Sequence, residues 1–111
     1  MAIDYGHVLE ERRPTLTGYR GGRQVPPVPD GSCDLTAHVA VDACAFATGA
    51  SLIEQREALR WLGVSAALPS PVTASGLERA SQARELLDPD TLGGFSWLVQ
   101  QVGVDLGWMG A

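Results

Sequence analysis

The stretch Ala2-Ile3-Asp4-Tyr5-Gly6-His7 opens the chain, and its two apolar residues run directly into polar ones. A buried parallel strand normally carries roughly four to eight apolar residues before its polar end. We therefore expect residues 2–5 to be the last part of a strand whose first half lies outside this sequence. Ligands of open α/β sheets bind beyond the carboxyl ends of strands. Asp4, Tyr5 and His7 are thus expected at a site, with Gly6 letting the chain turn sharply away.

The next stretch, residues 8–33, follows neither the helical nor the strand period for long. Glycines and prolines punctuate it at Pro14, Gly18, Gly21, Gly22, Pro26, Pro27, Pro29 and Gly31. This pattern predicts one long loop with a short strand at residues 15–19. Loops of this length tend to be functional lids or binding segments.

The remainder of the chain alternates between strand and helix signals. We predict extended segments or strands at 34–39, 51–54 and 95–100. We predict a helix over 43–48, capped by Asp42 and ended by Gly49. Two more helices are predicted, at 54–62 before Gly63 and at 76–87 after Ser75. The third helix is expected to bury Leu77, Ala80, Ala83, Leu86 and Leu87. The expected core also includes Leu59, Trp61, Phe95, Trp97 and Leu98. This order indicates one α/β domain over residues 1–101 with part of its sheet absent, followed by a Gly-rich tail, 102–111.

Composition excludes several classes of function. The eight basic residues are all arginines, mostly scattered, against 13 acidic ones, so the net charge is -5 and no footprint for a nucleic acid is present. No apolar run approaches the roughly 18 residues of a membrane span, and no leader is recognisable, which predicts a cytoplasmic location. Cys33 and Cys44 lack metal-site spacing, so we expect free thiols and no metal. The lack of lysine suggests a GC-rich bacterial source.

Several stretches together resemble one protein family. They are Ile3-Asp4-Tyr5-Gly6-His7, Asp30-Gly31-Ser32-Cys33-Asp34-Leu35-Thr36-Ala37-His38-Val39, Gln55-Arg56-Glu57-Ala58-Leu59 and Leu92-Gly93-Gly94-Phe95-Ser96-Trp97-Leu98. In this order they resemble the C-terminal half of MidA-type methyltransferases, which depend on S-adenosylmethionine (SAM). The family includes a mitochondrial protein that methylates an arginine of a respiratory complex I subunit.

The resemblance implies the C-terminal part of a class I, Rossmann-like methyltransferase fold, with an incomplete sheet and an antiparallel last strand beside Ile3. The family's glycine-rich nucleotide loop and ribose-binding acid lie upstream of the D-Y-G-H motif. Gly18, Gly21 and Gly22 follow no strand and make a poor substitute. SAM is therefore the implied cofactor, but we do not expect this chain to bind it alone. Unpaired sheet edges predict a homo-oligomer or pairing with a complementary methyltransferase segment.

Four residues are candidates for chemistry on a protein substrate. Methyl transfer to nitrogen needs proximity and a group that orients the acceptor. Asp4 or Asp34 could face a guanidinium, and His7 or His38 could take a proton. Alternatively, the two carboxylates satisfy backbone amides and His38 is a packed strand residue.

Two further alternatives stay open at this point. The loop arginines, which are Arg12, Arg13, Arg20 and Arg23, either clamp an acidic partner or are solvated. The chain itself is either a piece of a methyltransferase, a non-catalytic self-associating or partner-binding module, or an unrelated α/β protein whose motif matches are coincidental. A last strand far from Ile3 would contradict the family assignment.

Overall fold

The computed structural model describes residues 1–105 and 107. Within them the chain is a mixed α/β structure. Its strands are β1 (Ala2–Asp4), β2 (Gly6–His7), β3 (Thr17–Arg20), β4 (Arg23–Val25), β5 (Asp34–Thr36), β6 (Val39–Ala40), β7 (Ser51–Glu54) and β8 (Ser96–Val99). Its helices are α1 (Val41–Thr48), α2 (Gln55–Trp61) and α3 (Ala74–Leu87), with 3-10 turns at Leu9–Glu11 and Leu92–Gly94.

The central sheet has the strand order β1-β8-β7. The last strand, β8, runs antiparallel to both of its neighbours, with Trp97 opposite Ile3 on one side and Ile53 on the other. Strands β1 and β7 therefore run parallel to each other. The expected placement of the last strand, antiparallel beside Ile3, is confirmed.

The core lies where α2 packs on this sheet. Ala58 is fully buried, and Trp97 and Val99 are nearly so, with Ile53 and Leu59 packed against them. Phe95 and Leu98 are half-buried. The prediction that Trp61 is a core residue was wrong, because its side chain is 64% exposed. Trp61 is the last residue of α2, beyond Ala58 and Leu59, which meet the core.

Residues 8–33 are not one irregular loop, which corrects the sequence-based prediction. Strands β3 and β4 form a hairpin, and β5 adds to β3 on its other side. Gly21 and Gly22 connect the hairpin with φ values of 56° and 73°. Two consecutive residues with positive φ make the turn whose twist matches that of paired strands, and glycine adopts it most readily. The predicted short strand is present, at Thr17–Arg20.

Two helix starts also differ from the prediction. Helix α1 begins at Val41, so Asp42 lies inside the first turn instead of capping it, and the helix ends at Gly49 as predicted, with φ of 66°. Helix α3 is capped by Thr73, whose hydroxyl oxygen accepts a hydrogen bond from the amide of Gly76 at 3.1 Å. The predicted cap, Ser75, is part of that helix.

Helix α3 packs through its small side chains. The buried residues are Gly76, Ala80, Ala83 and Leu87, whereas Leu77 and Leu86 are exposed. A Cβ on Gly76 would overlap the ring of Pro69. The helix therefore approaches its neighbours closely on the glycine and alanine side, and that contact sets its rotation.

No helix within residues 1–105 is long and apolar enough to cross a membrane. Of the predicted tail, residues 106 and 108–111 lie outside the described residues.

Candidate functional site

The predicted site segments meet where β1 ends. Strand β2 continues from β1 and pairs in parallel with β6, so that Gly6 lies opposite Val39 and His7 opposite Ala40. The carbonyl oxygen of Tyr5 accepts a hydrogen bond from the amide of Val39 at 3.4 Å. These pairings place the D-Y-G-H motif beside the T-A-H-V motif.

Gly6 is needed for close approach and not for a turn, contrary to the prediction. It lies in a strand and is not among the residues with positive φ. A Cβ at this position would lie 2.5 Å from the carbonyl oxygen of Val39 and would overlap the side chain of Val41. Only glycine lets the two motif segments pair this closely.

Tyr5 connects three segments of the chain. Its hydroxyl is 2.6 Å from the hydroxyl oxygen of Thr36. Its ring packs edge-on against His38 and Phe95, with centroid distances of 5.2 and 5.8 Å. The sequence analysis placed Tyr5 at this edge of the sheet but gave its side chain no role in the chemistry. The side chain positions His38 relative to β1.

His38 is held by the start of the hairpin. Its backbone amide donates a hydrogen bond to the hydroxyl oxygen of Thr15 at 2.9 Å. A cleft of about 340 Å³ opens beside it, lined by Tyr5, Thr15, Tyr19, Thr36 and His38. The imidazole of His38 therefore borders a small cleft of aromatic rings and hydroxyl groups.

His7 and His38 border a common cleft of about 550 Å³. Its lining consists of Gly6, His7, Glu11, Arg13, Thr15, His38, Pro89 and Asp90. The Nδ1 atom of His7 is buried and has no hydrogen-bond partner in the structure. The structure thus brings both predicted histidines to one cleft. Sequence reasoning missed Glu11 and Asp90, which carry the carboxylates of this cleft.

The predicted carboxylates are placed differently. Asp4 Oδ1 accepts a hydrogen bond from the amide of Tyr5 at 2.8 Å, so Asp4 shapes the backbone at the strand end. Asp34 is exposed on β5, opposite Tyr19. The structure thus supports the alternative interpretation for Asp4, and it separates Asp34 from the cleft between the two histidines.

A second cleft, of about 310 Å³, also borders Gly6 and His7. Its charged residues are Glu11, Glu54, Arg56 and Glu57. Glu54 and Arg56 form an ion pair with an N to O distance of 2.5 Å. The lining therefore carries more negative than positive charge. Glu54 ends β7, and a carboxylate at a strand's carboxyl end was the signal that could have identified it.

Asp42 fixes the 3-10 turn that carries Glu11. Its two carboxylate oxygens accept hydrogen bonds from the amides of Leu9 and Ala43, both at 2.8 Å. Burial raises the pKa of this carboxyl, but those two amides and the charge of Arg12 outweigh it, so the pKa is lowered overall. The ionised form is thus favoured in the folded chain.

The loop arginines do not form one clamp. Arg20 and Arg23 lie opposite each other at the hairpin end, and both are exposed. Arg13 borders the cleft between the two histidines. Like charges on directly opposed residues disfavour strand pairing, so the two glycines must hold this turn.

The glycines that were weighed as a nucleotide loop belong to the hairpin. Gly18, Gly21 and Gly22 lie within or between β3 and β4, which do not lead into a helix. They do not fit the strand-to-helix loop that binds a nucleotide cofactor. Cys33 and Cys44 are free thiols, as predicted. Across the described residues, no group of three or more potential ligands is placed to hold a metal ion.

Comparison with known proteins gave no relative: no family model, no curated protein and no solved structure matches this chain.

Proposed function

We propose that this chain is the C-terminal portion of a SAM-dependent, MidA-type methyltransferase, and that it supplies the acceptor side of the site without the cofactor loop. The observation that carries the proposal is the position of β8, antiparallel between two parallel strands, β1 and β7. The C-terminal edge of a class I methyltransferase sheet has the same arrangement. A cytoplasmic location is part of the proposal.

The clefts at the end of β1 support an acceptor site. A nitrogen that receives a methyl group must be neutral or must lose a proton. His7 and His38 border one cleft and can take that proton as neutral imidazoles. Glu11 and Asp90 outnumber Arg13 on the same cleft, so its lining favours a cationic group on the substrate. In this proposal the side chains of Glu11 and Asp90 orient the acceptor. The sequence analysis gave that role to Asp4 or Asp34.

Measuring SAM binding by the chain alone, and by the chain mixed with an N-terminal half, tests the proposal. We expect no saturable heat of binding when the chain alone is titrated with SAM or S-adenosylhomocysteine. Mixing the chain with the separately produced N-terminal half of a MidA-type methyltransferase should restore binding beyond that of the half alone. Saturable binding by the chain alone at micromolar SAM would contradict the incomplete site, and no change with any such half would contradict the family assignment.

The reconstituted pair also tests whether His38 takes the proton. His38→Ala should lower kcat by about 100-fold, because general base catalysis contributes roughly that much, and should leave the Kd for SAM unchanged. Gln82→Ala, on the exposed side of α3, is the matched control and should change neither constant.

The alternative is a non-catalytic module that self-associates or binds a partner. It is favoured by the exposed edge strand of the central sheet. Association of the chain with copies of itself, together with no methyl transfer in the reconstituted pair, would select this alternative.

A further inference from the structure

Aromatic rings form one corner of the 340 Å³ cleft beside His38. The ring centroids of Tyr5 and His38 are 5.2 Å apart, and the ring planes are inclined at 66° to each other. Tyr19 lines the same cleft from β3 and is 42% exposed. Among the residues that the structure describes, the Tyr19 ring contacts no other aromatic ring. Its face is therefore available to a ligand in the cleft.

Most hydroxyl groups of this cleft already form hydrogen bonds within the chain. The hydroxyls of Tyr5 and Thr36 are bonded to each other. The hydroxyl oxygen of Thr15 accepts a hydrogen bond from the amide of His38. These bonds, together with the contact between the rings of Tyr5 and Phe95, fix the walls of the cleft before a ligand binds. A ligand in this cleft therefore meets mainly the faces of rings.

The charge next to the cleft is negative. The lining itself contains no carboxylate and no arginine. Asp34 lies directly opposite Tyr19 on β5, so both side chains leave the same face of the hairpin sheet. Thr36 lies two residues further along β5, on that face as well, and it lines the cleft. With one carboxylate at this face and a net charge of -5 on the chain, the surroundings favour a cation.

We propose that this cleft binds a quaternary ammonium group, with the rings of Tyr5 and Tyr19 and the neutral imidazole of His38 as its walls. The face of an aromatic ring attracts a cation that lies within about 6 Å of the ring centroid. This binding does not depend on methyltransferase activity.

The chemistry of the cleft selects this kind of cation. A quaternary ammonium group has no N–H donor, so it needs no acceptor from hydroxyls that are already bonded. A primary ammonium or a guanidinium group must satisfy several donors, and the carboxylates of the cleft between the two histidines suit it better. The volume of about 340 Å³ lies at the small end of ligand pockets, which span roughly 300–1,000 Å³. The ligand is therefore a small molecule or a single side chain.

Choline and its neutral carbon analogue, dimethylbutanol, test whether the cleft recognises charge. Each is added to the wild-type chain while the NMR shifts of Tyr19 and His38 are followed. We expect saturable shifts with choline at a Kd of about 1 mM, and about fivefold weaker binding of dimethylbutanol. Equal binding of the two compounds, or no saturable shift with choline up to about 50 mM, would overturn the proposal.

Variants of Tyr19 test whether its ring is a wall of the site. Tyr19→Leu should raise the Kd for choline about fivefold, because one exposed contact between a cation and a ring contributes roughly that factor. Tyr19→Phe keeps the ring and should bind choline as wild type does. Phe46→Leu removes a ring that is 92% exposed on α1, and as the matched control it should not change the Kd. Equal effects of Tyr19→Leu and Phe46→Leu would contradict the proposal. The comparison of choline with dimethylbutanol uses wild type, so it decides the question even if Tyr19→Leu does not fold.

A peptide identifies the source of the quaternary ammonium group. A short peptide with one trimethyllysine is titrated in the same way, and the same peptide with unmodified lysine is its control. Tighter binding of the trimethyllysine peptide than of choline would assign the site to a methylated protein, and tighter binding of choline would assign it to a free small molecule. Equal binding of the trimethyllysine and lysine peptides would show that the cleft does not recognise the quaternary group, which overturns the proposal.

Discussion

The hydroxyl oxygens of Tyr5 and Thr36 lie 2.6 Å apart, although 31 residues separate them in the chain. This contact connects the end of the central sheet to β5 of the hairpin sheet. Tyr5 also contacts His38 and Phe95 through its ring. Tyr5 is therefore one of the residues that hold the hairpin sheet against the end of the central sheet.

Removing the Tyr5 hydroxyl should lower stability by the value of one hydrogen bond. Tyr5→Phe keeps the ring contacts, so we expect a loss of about 1 kcal/mol in the free energy of unfolding. Thr36→Val should cost a similar amount, and the double variant less than the sum, because both remove the same bond. Tyr19→Phe, on the same hairpin sheet, is the control. Strictly additive effects in urea unfolding would show that the contact does not stabilise the fold.

The buried indole of Trp97 depends on Gln55. Its Nε1–H donates to the Oε1 atom of Gln55 at 3.0 Å, and the Nε2 of Gln55 donates to the carbonyl oxygen of Leu92 at 2.9 Å. Gln55→Leu leaves the indole N–H without a partner in a nearly buried position. We expect a loss of about 1 to 3 kcal/mol.

The Gln55 prediction is checked by urea unfolding followed by tryptophan fluorescence. Gln82→Leu serves as the control for the change of side chain, since Gln82 is exposed on α3. Equal stability of the two variants would mean that water replaces Gln55 at the indole.

Local signals in the sequence predicted the helices and the central strands well. Gly49 follows α1 with the positive φ that ends a helix, and Gly63 follows α2 with φ of 90°. The helix ends depend on residues that are close in sequence. The antiparallel place of the last strand beside Ile3 was also correct, but the family resemblance implied it and local signals did not.

Other features could not be predicted, because they depend on contacts between distant segments. The Gly21-Gly22 pair is a hairpin signal, but the arginines and prolines around it obscured the strand pattern. Glu11 borders the cleft from a 3-10 turn in which the amide of Leu9 donates to Asp42, a contact across 33 residues of the chain. The rotation of α3, which exposes Leu77 and Leu86, depends on the close approach of Gly76 to Pro69.

Adding a methyl group to Gly6 should disrupt the site. The new Cβ would overlap the carbonyl oxygen of Val39, and backbone atoms there cannot move without breaking the pairing of β2 with β6. We expect Gly6→Ala to destabilise the chain by about 2 kcal/mol or more. Gly49→Ala is the control, because it meets no atom within 4 Å and only its φ of 66° is unfavourable. That variant should lose about 1 kcal/mol. A smaller loss for Gly6→Ala than for Gly49→Ala would show that β2 and β6 are not closely paired in solution.

The stability contributed by Asp42 should depend on pH. Its pKa is lowered from 3.8, because the amides of Ala43 and Leu9 and the charge of Arg12 outweigh the opposing effect of burial. A carboxyl with a lowered pKa in the folded state stabilises the fold above its unfolded pKa, and this contribution is lost as the pH falls through the folded pKa. Asp42→Asn should therefore be less stable than wild type near pH 7, and the difference should shrink below pH 3.8. Urea unfolding of wild type and Asp42→Asn at a series of pH values measures this difference in stability. Asp34→Asn, on the exposed strand β5, is the control. A difference between Asp42→Asn and wild type that stays constant down to the lowest pH would mean that the charge of Asp42 does not hold the Leu9 turn against α1.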